Sequence, residues 1–165
     1  MPELNEISFL KTLTSPSIGA TVDNPTTTVV SSSVNTLFDA VTTAEATTGT
    51  TDYRCIYIHN ASTTESLTSA ELFIQTPPTS GTVTLSMGLG DVISSITMAN
   101  NPALTSETDG TNLPVGLTFN VPLTATPLAV GTIPAGSYQI LWLRRSVAAA
   151  TVANPADYSK FVIRW

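Results

Sequence analysis

Charge is scarce in this sequence. Of its 165 residues, 6 are Lys or Arg and 12 are Asp or Glu, 11% in all, where a soluble domain ordinarily carries roughly 25%. The balance is a net charge of -6, and the one adjacent cationic pair is Arg144 and Arg145. Scattered cations on an acidic chain cannot neutralise a row of phosphates, which excludes nucleic acid as an expected partner. Long apolar runs are also missing. Ile140 to Leu143 and Val147 to Ala150 fall far short of the ~20 residues of a membrane-spanning helix, so no membrane partner is expected. The opening residues Met1-Pro2-Glu3-Leu4-Asn5-Glu6 carry acids where a secretory signal places basic residues, and export by that route is not expected.

Cysteine and histidine occur once each, as Cys55 and His59. A single cysteine excludes an intrachain disulfide framework, and zinc, which needs three or four nitrogen or sulfur ligands, has no set to bind. A Ser-His-Asp or Cys-His arrangement would have to use His59 as its base. Cys55 and His59 stand four apart on one predicted strand, on the same face but about 13 Å apart by strand rise, too far for a nucleophile and its base. Cys55 therefore reads as a small buried hydrophobe and His59 as a strand-end residue. Gly88-Leu89-Gly90 lacks the third glycine and following helix of a dinucleotide site, and no phosphate loop is present. Glu107 and Asp109, with Asn100, Asn101 and Asn112, offer oxygen ligands for calcium, but without EF-hand spacing they read as a solvated loop. Asn60-Ala61-Ser62 matches a glycosylation sequon and, without a signal peptide, reads as chance. Nothing singles out a carboxylate pair. The expectation is no enzyme, no cofactor and no metal.

What the chain does have is 29 Thr and 17 Ser, with 42% hydrophobic residues and a mean hydropathy of +0.22. This composition favours strands and turns over helices and argues against disorder. Such a weakly charged surface is one meant to be partly covered.

Residues 1–26, interrupted by Pro16, Gly19 and Pro25, read as an N-terminal arm in which only Ile7 to Leu13 alternates like a strand. Residues 27–165 read as a single domain. Thr27 to Val34 is β-branched and suits a strand. Leu37, Phe38 and Val41 have the spacing of a short helical turn, or of a loop anchored by Phe38, and Thr42 to Thr51 reads as a connection. Further strands are predicted at Tyr53 to His59, Leu67 to Gln75, Val83 to Met87, Val92 to Met98, Val115 to Val121, Leu128 to Ile133, Ser137 to Arg145 and Tyr158 to Trp165, with Asn100 to Pro114 the longest loop. The fold class is all-β: a β-sandwich or jelly roll of about eight to ten short antiparallel strands with an extended N-terminal arm.

Period-two geometry puts Tyr138, Ile140 and Trp142 on one face and Gln139, Leu141 and Leu143 on the other, both largely apolar. Tyr53, Cys55 and Tyr57 alternate with Arg54, Ile56 and Ile58 in the same way, so these two strands are predicted to be central. Arg144 and Arg145 end the first of them with one guanidinium to each face. One reading pairs one of them with an acid such as Asp157 and leaves the other wet. The other makes Arg144, Arg145, Trp142 and Tyr138 candidate contacts for an acidic partner.

The run Asn35-Thr36-Leu37-Phe38-Asp39-Ala40-Val41, then Glu45-Ala46 and Gly49, then Asp52-Tyr53-Arg54-Cys55-Ile56-Tyr57-Ile58-His59-Asn60, resembles a pattern of structural proteins of tailed bacteriophages. Ile133-Pro134-Ala135-Gly136 leading to Leu141-Trp142-Leu143-Arg144-Arg145 is similar to their closing segment. The resemblance spans about 35 to 165 and leaves the arm outside. It implies a virion component with a β-sandwich, without fixing head or tail. The expectation is a capsid decoration or cement protein, assembled in the host cytoplasm onto the major capsid protein or neighbouring virion subunits, with copies of itself on the particle. The alternatives are a tail, baseplate or fibre-associated structural protein, or a carbohydrate-binding β-sandwich that stacks sugars on Tyr57, Tyr138 or Trp142.

Overall fold

A computed structural model describes residues 1–12, 25–29, 37–94, 116–152 and 158–165. The chain is all-β, built as two antiparallel sheets that face each other. Among the described residues, its strands are β1 (Ile7–Thr12), β2 (Pro25–Val29), β3 (Thr50–Asn60), β4 (Leu67–Thr76), β5 (Val83–Ile93), β6 (Leu128–Ile133), β7 (Tyr138–Val147) and β8 (Lys160–Arg164), with a 3-10 turn (Leu4–Glu6) before β1 and one short α-helix, α1 (Thr43–Thr48), before β3. The larger sheet runs β2-β1-β3-β7-β5 and the smaller β6-β4-β8.

β3 and β7 neighbour each other inside the larger sheet, paired from Thr50↔Val147 to His59↔Tyr138. Their two-sided apolar alternation explains the position. Ile56, Ile58, Leu141 and Leu143 point inward with Leu85 and Met87 of β5 and meet Leu67, Leu72, Ile74, Val130 and Ile133 of the smaller sheet. Cys55, Tyr57, Ile140 and Trp142 point to the outer face, where Leu117, Phe119 and Tyr138 pack against them. Each fully buried Leu or Ile contributes about 1.5–3 kcal/mol, so the strands with two buried faces anchor the fold. Phe9 of β1 and Phe161 of β8 meet edge to face at 5.2 Å, joining the sheets through a further ring pair.

Several expectations change. Within the segment read as an arm, the strand expected at Ile7 to Leu13 is present as β1, which follows a 3-10 turn at Leu4–Glu6 and pairs with β3 from Ile7↔Asn60 to Lys11↔Ile56; β2, which starts at Pro25, pairs with β1. Thr42 to Thr51 is not a plain connection, because Thr42 and Glu45 close a capping box that starts α1 and Gly49 ends it at φ 82°. Phe38 anchors a loop rather than a helical turn. Val83 to Met87 and Val92 to Met98 are not two strands parted by a turn: β5 is continuous to Ile93, with a register shift between Leu89 and Val92. Val115 to Val121 is not a strand in its described part. Only Asn120 bridges to Met87, and the alternation of Leu117 and Phe119 reflects packing on the outer face. Residues 30–36, 95–115 and 153–157, which include the predicted long loop, its oxygen ligands and Asp157, lie outside the described residues.

The segment from Gly116 to Thr126 ties the sheets together. Asn120 exchanges backbone hydrogen bonds with Met87 of β5 at 2.7 and 2.9 Å, and Pro122 O accepts from Ile74 N of β4 at 2.8 Å. Gly88 permits this approach: a Cβ there would stand 3.0 Å from Thr118 O and 3.6 Å from the Phe119 ring.

Candidate functional site

The C-terminal end of β7 delivers its two guanidiniums to opposite faces, as alternation requires. On the inner face, Arg145 lies opposite Asp52 in the ladder. Its Nε and Nη2 donate to Asp52 Oδ2 at 3.0 and 2.6 Å, and its Nη1 donates to Asp39 O at 2.7 Å. Arg54, on the same face, donates from Nε to Leu37 O at 3.1 Å and from Nη1 to Tyr53 O at 2.8 Å, with Nη2 3.6 Å from the Asp39 carboxylate. Both guanidiniums lie over the Phe38 ring, at 4.9 Å for Arg145 and 5.5 Å for Arg54. Leu37 and Phe38 pack against the inner core, so this charged cluster fastens a strap over one end of the sandwich. Arg145 thus pairs with Asp52, while Asp157 lies outside the described residues.

On the outer face, Arg144 lies between Tyr53 of β3 and Ser86 of β5 in the ladder. Its Nε donates to Ser86 Oγ at 2.8 Å, and Ser86 Oγ returns a bond to Arg144 O at 3.5 Å. Its guanidinium lies 5.0 Å over the Phe119 ring, which itself meets Tyr53 edge to face at 5.6 Å. Trp142, two residues back on this face, is 0% exposed, and its indole N–H has no hydrogen-bond acceptor among the described residues. Tyr138, half-buried, stacks on His59 at 4.2 Å with the rings 8° from parallel.

The four candidate contacts are therefore not one exposed patch. Trp142 is core, Arg145 is committed internally, Tyr138 is covered on one side by His59, and Arg144 alone keeps part of its guanidinium without a partner among the described residues. The sugar-stacking surface is corrected for the same reason. Tyr57, like Trp142, is 0% exposed, because both rings fill the outer-face cluster rather than cover it.

The groups considered for chemistry are placed for structure. Cys55 is wholly buried and burial pushes its thiol pKa far up, so it stays protonated and unreactive. Burial lowers the His59 pKa, keeping the imidazole neutral at neutral pH. Among the described residues, no three His, Cys, Asp or Glu side chains gather as metal ligands. No described helix is long and apolar enough to cross a membrane. Asn60, read as a sequon, is buried, and its Nδ2 donates to the carbonyls of Glu65, Ile133 and Pro134. That network and the Ser86–Phe119 seat of Arg144 escape sequence reasoning; Gly88 opposite Trp142 is the one local signal that a segment passes close by.

No family model, no curated protein and no solved structure matches this chain.

Proposed function

We propose that this chain is a non-enzymatic structural protein of a virion, a decoration or cement protein that binds the assembled major capsid lattice and stabilises the shell. The observation that carries the reading is the make-up of the exposed surface. Among the described residues, exposed positions hold 14 threonines and only six charged residues: Glu3, Asp39, Glu65, Asp91, Lys160 and Arg164. Much of the chain's small charge is spent on its own fold, in Arg145–Asp52, Arg54–Asp39 and Arg164–Glu71. A surface of hydroxyl and small apolar groups is weakly solvated on its own and costs less to desolvate than a charged one when neighbouring subunits cover it. The resemblance of Asn35 to Asn60 and of Ile133 to Arg145 to phage structural proteins supports the same reading.

The mechanism is mass action. A ligand that binds only the assembled shell stabilises it, by about 2.7 kcal/mol per site at a hundredfold excess over Kd, and hundreds of sites add up against internal genome pressure. The test is gel quantification against the major capsid protein in purified particles, followed by heat and osmotic shock of particles with and without it. Hundreds of copies and fragile depleted particles are expected. About six to twelve copies would move the chain to the tail, and depleted particles as robust as complete ones would overturn the cementing role.

A further inference from the structure

Each described arginine except Arg144 meets a carboxylate of its own chain. Arg145 has Asp52 at 2.6 Å, Arg164 has Glu71 at 2.7 Å and Arg54 has Asp39 at 3.6 Å. Arg144 has a different set of neighbours, and among the described residues all are neutral. Ser86 Oγ takes its Nε–H, Phe119 lies under its plane, and Tyr53 stands beside it in the ladder. Ser86 is buried and bonds both Nε and the backbone carbonyl of Arg144, so the side chain is fixed at its neck and along its face. What remains is the Nη1 and Nη2 end, which has no partner among the described residues.

We propose that Arg144 is a preorganised docking fork for a carboxylate side chain, an Asp or Glu of the shell protein to which this chain binds. The inference rests on the virion reading above and names the chemistry of that contact. Three physical points carry it. A half-buried guanidinium without a counter-charge bears a desolvation cost that a partner carboxylate offsets. Its two terminal amino groups match the two oxygens of a carboxylate in a bidentate pair. Its orientation is set before binding, which removes most of the side-chain entropy cost of forming the contact. A phosphate group fits less well: polyanion sites gather several cations, whereas this one stands alone on a chain of net charge -6.

Two experiments test it. In the first, side-chain Nε and Nη resonances of 15N-arginine-labelled full-length protein are followed during titration with succinate, with phosphate in a parallel series. Arg144 is expected to shift with succinate while Arg145 and Arg54 do not, and the shift is expected to weaken as sodium chloride is raised. A larger response to phosphate, or an equal response from all arginines, overturns the proposal. In the second, wild type, Arg144→Ala, Arg144→Lys and Arg144→Gln are rebound to particles stripped of the protein, after their melting curves show that each is folded. Arg144→Ala is expected to bind about tenfold more weakly or worse. Arg144→Lys is expected to recover only part of this, since an ammonium keeps the charge but not the fork. Arg144→Gln, which keeps a donor without the charge, is expected to resemble Arg144→Ala. Wild-type affinity in Arg144→Ala overturns the docking role. Failure of wild type itself to rebind overturns the virion reading, and the titration still decides whether the fork takes carboxylates.

Discussion

Asn60 is a polar side chain wholly inside the protein, and its partners explain how it can be there. Its two Nδ2 hydrogens are shared among Glu65 O at 2.8 Å, Ile133 O at 3.0 Å and Pro134 O at 3.3 Å, while Oδ1 accepts from Ser62 N at 3.2 Å. One residue thereby joins the end of β3, the β3–β4 connection and the β6–β7 turn. Asn60→Ala leaves the Ile133 carbonyl and the Ser62 amide, whose bonds to the side chain are fully buried, without those partners, at about 1–3 kcal/mol for each group left unsatisfied. The expected result is a fall in melting temperature of roughly 4–24 °C, taking about 2–4 °C per kcal/mol for a chain of this size. Thermal unfolding followed by circular dichroism measures it, and a loss below about 2 °C would show that water replaces the amide without cost. The long-range half of this network is not legible locally. Asn60-Ala61-Ser62 reads as a sequon because its partners at Ile133 and Pro134 lie 73 and 74 residues away. Trp142 is legible in part: alternation places it on the outer face, but whether that face is covered depends on Phe119, brought there by a segment with no ladder of its own.

Among elements, the long strands are readable and the short helix is instructive. β4, β6 and β7 agree with the predicted runs to within a residue or two because a buried face imposes period two on the sequence. β5 hides behind its glycines. Gly88 and Gly90 look like a turn, yet Gly88 makes room for the segment at Thr118, and the carbonyl of Gly90 is taken by the buried Gln139 side chain at 2.6 Å. Helix α1 is too short for a hydrophobic period, but Thr42-Thr43-Ala44-Glu45 ending at Gly49 is a start and stop signal that composition conceals among so many threonines. Thr42 N donates to Glu45 Oε2 at 2.7 Å and the Thr42 hydroxyl does so at 2.8 Å. These bonds, the backbone one first, hold the Glu45 pKa below its ordinary 4.5. A depressed folded pKa means the contribution is present above the unfolded value and lost as pH falls through the folded one. The helix is therefore expected to be intact at neutral pH and to fray only as pH falls below the ordinary carboxylate range. Glu45→Gln is expected to remove that pH dependence, and Thr42→Ala to cost the helix about 1 kcal/mol. The amide shifts of Thr42 and Glu45 between pH 7 and 3 read all three; a helix that frays with the same midpoint in Glu45→Gln would assign the effect to another acid.

For the whole molecule, the two sheets are unequal, and this sets the order in which the structure opens. β3 and β7 are covered on both faces, with Cys55 to Ile58 and Ile140 to Leu143 each buried along their length, and each strand has a neighbour on either side. β8 is at a sheet edge and contains no buried residue, from Lys160 to Arg164. It attaches through its ladder with β4, the exposed Arg164–Glu71 pair and the Phe161 contact with Phe9. An exposed ion pair is worth about 0–1 kcal/mol, so the edge strand depends mainly on its apolar side against the inner core. Local opening free energies run from near zero at frayed elements to the global value in a core. Backbone amide exchange should therefore be slowest at Ile56, Ile58, Leu141 and Leu143, with protection at the level of global unfolding, and fastest in α1 and the outer edge of β8. Phe161→Ala would then speed exchange in β8 and β4 while leaving β3 and β7 nearly unchanged relative to global stability. Equal acceleration in both sheets would mean that the sandwich opens as one unit, and that the inner core at Leu72, Ile74 and Met87 couples the layers more tightly than the edge position of β8 implies.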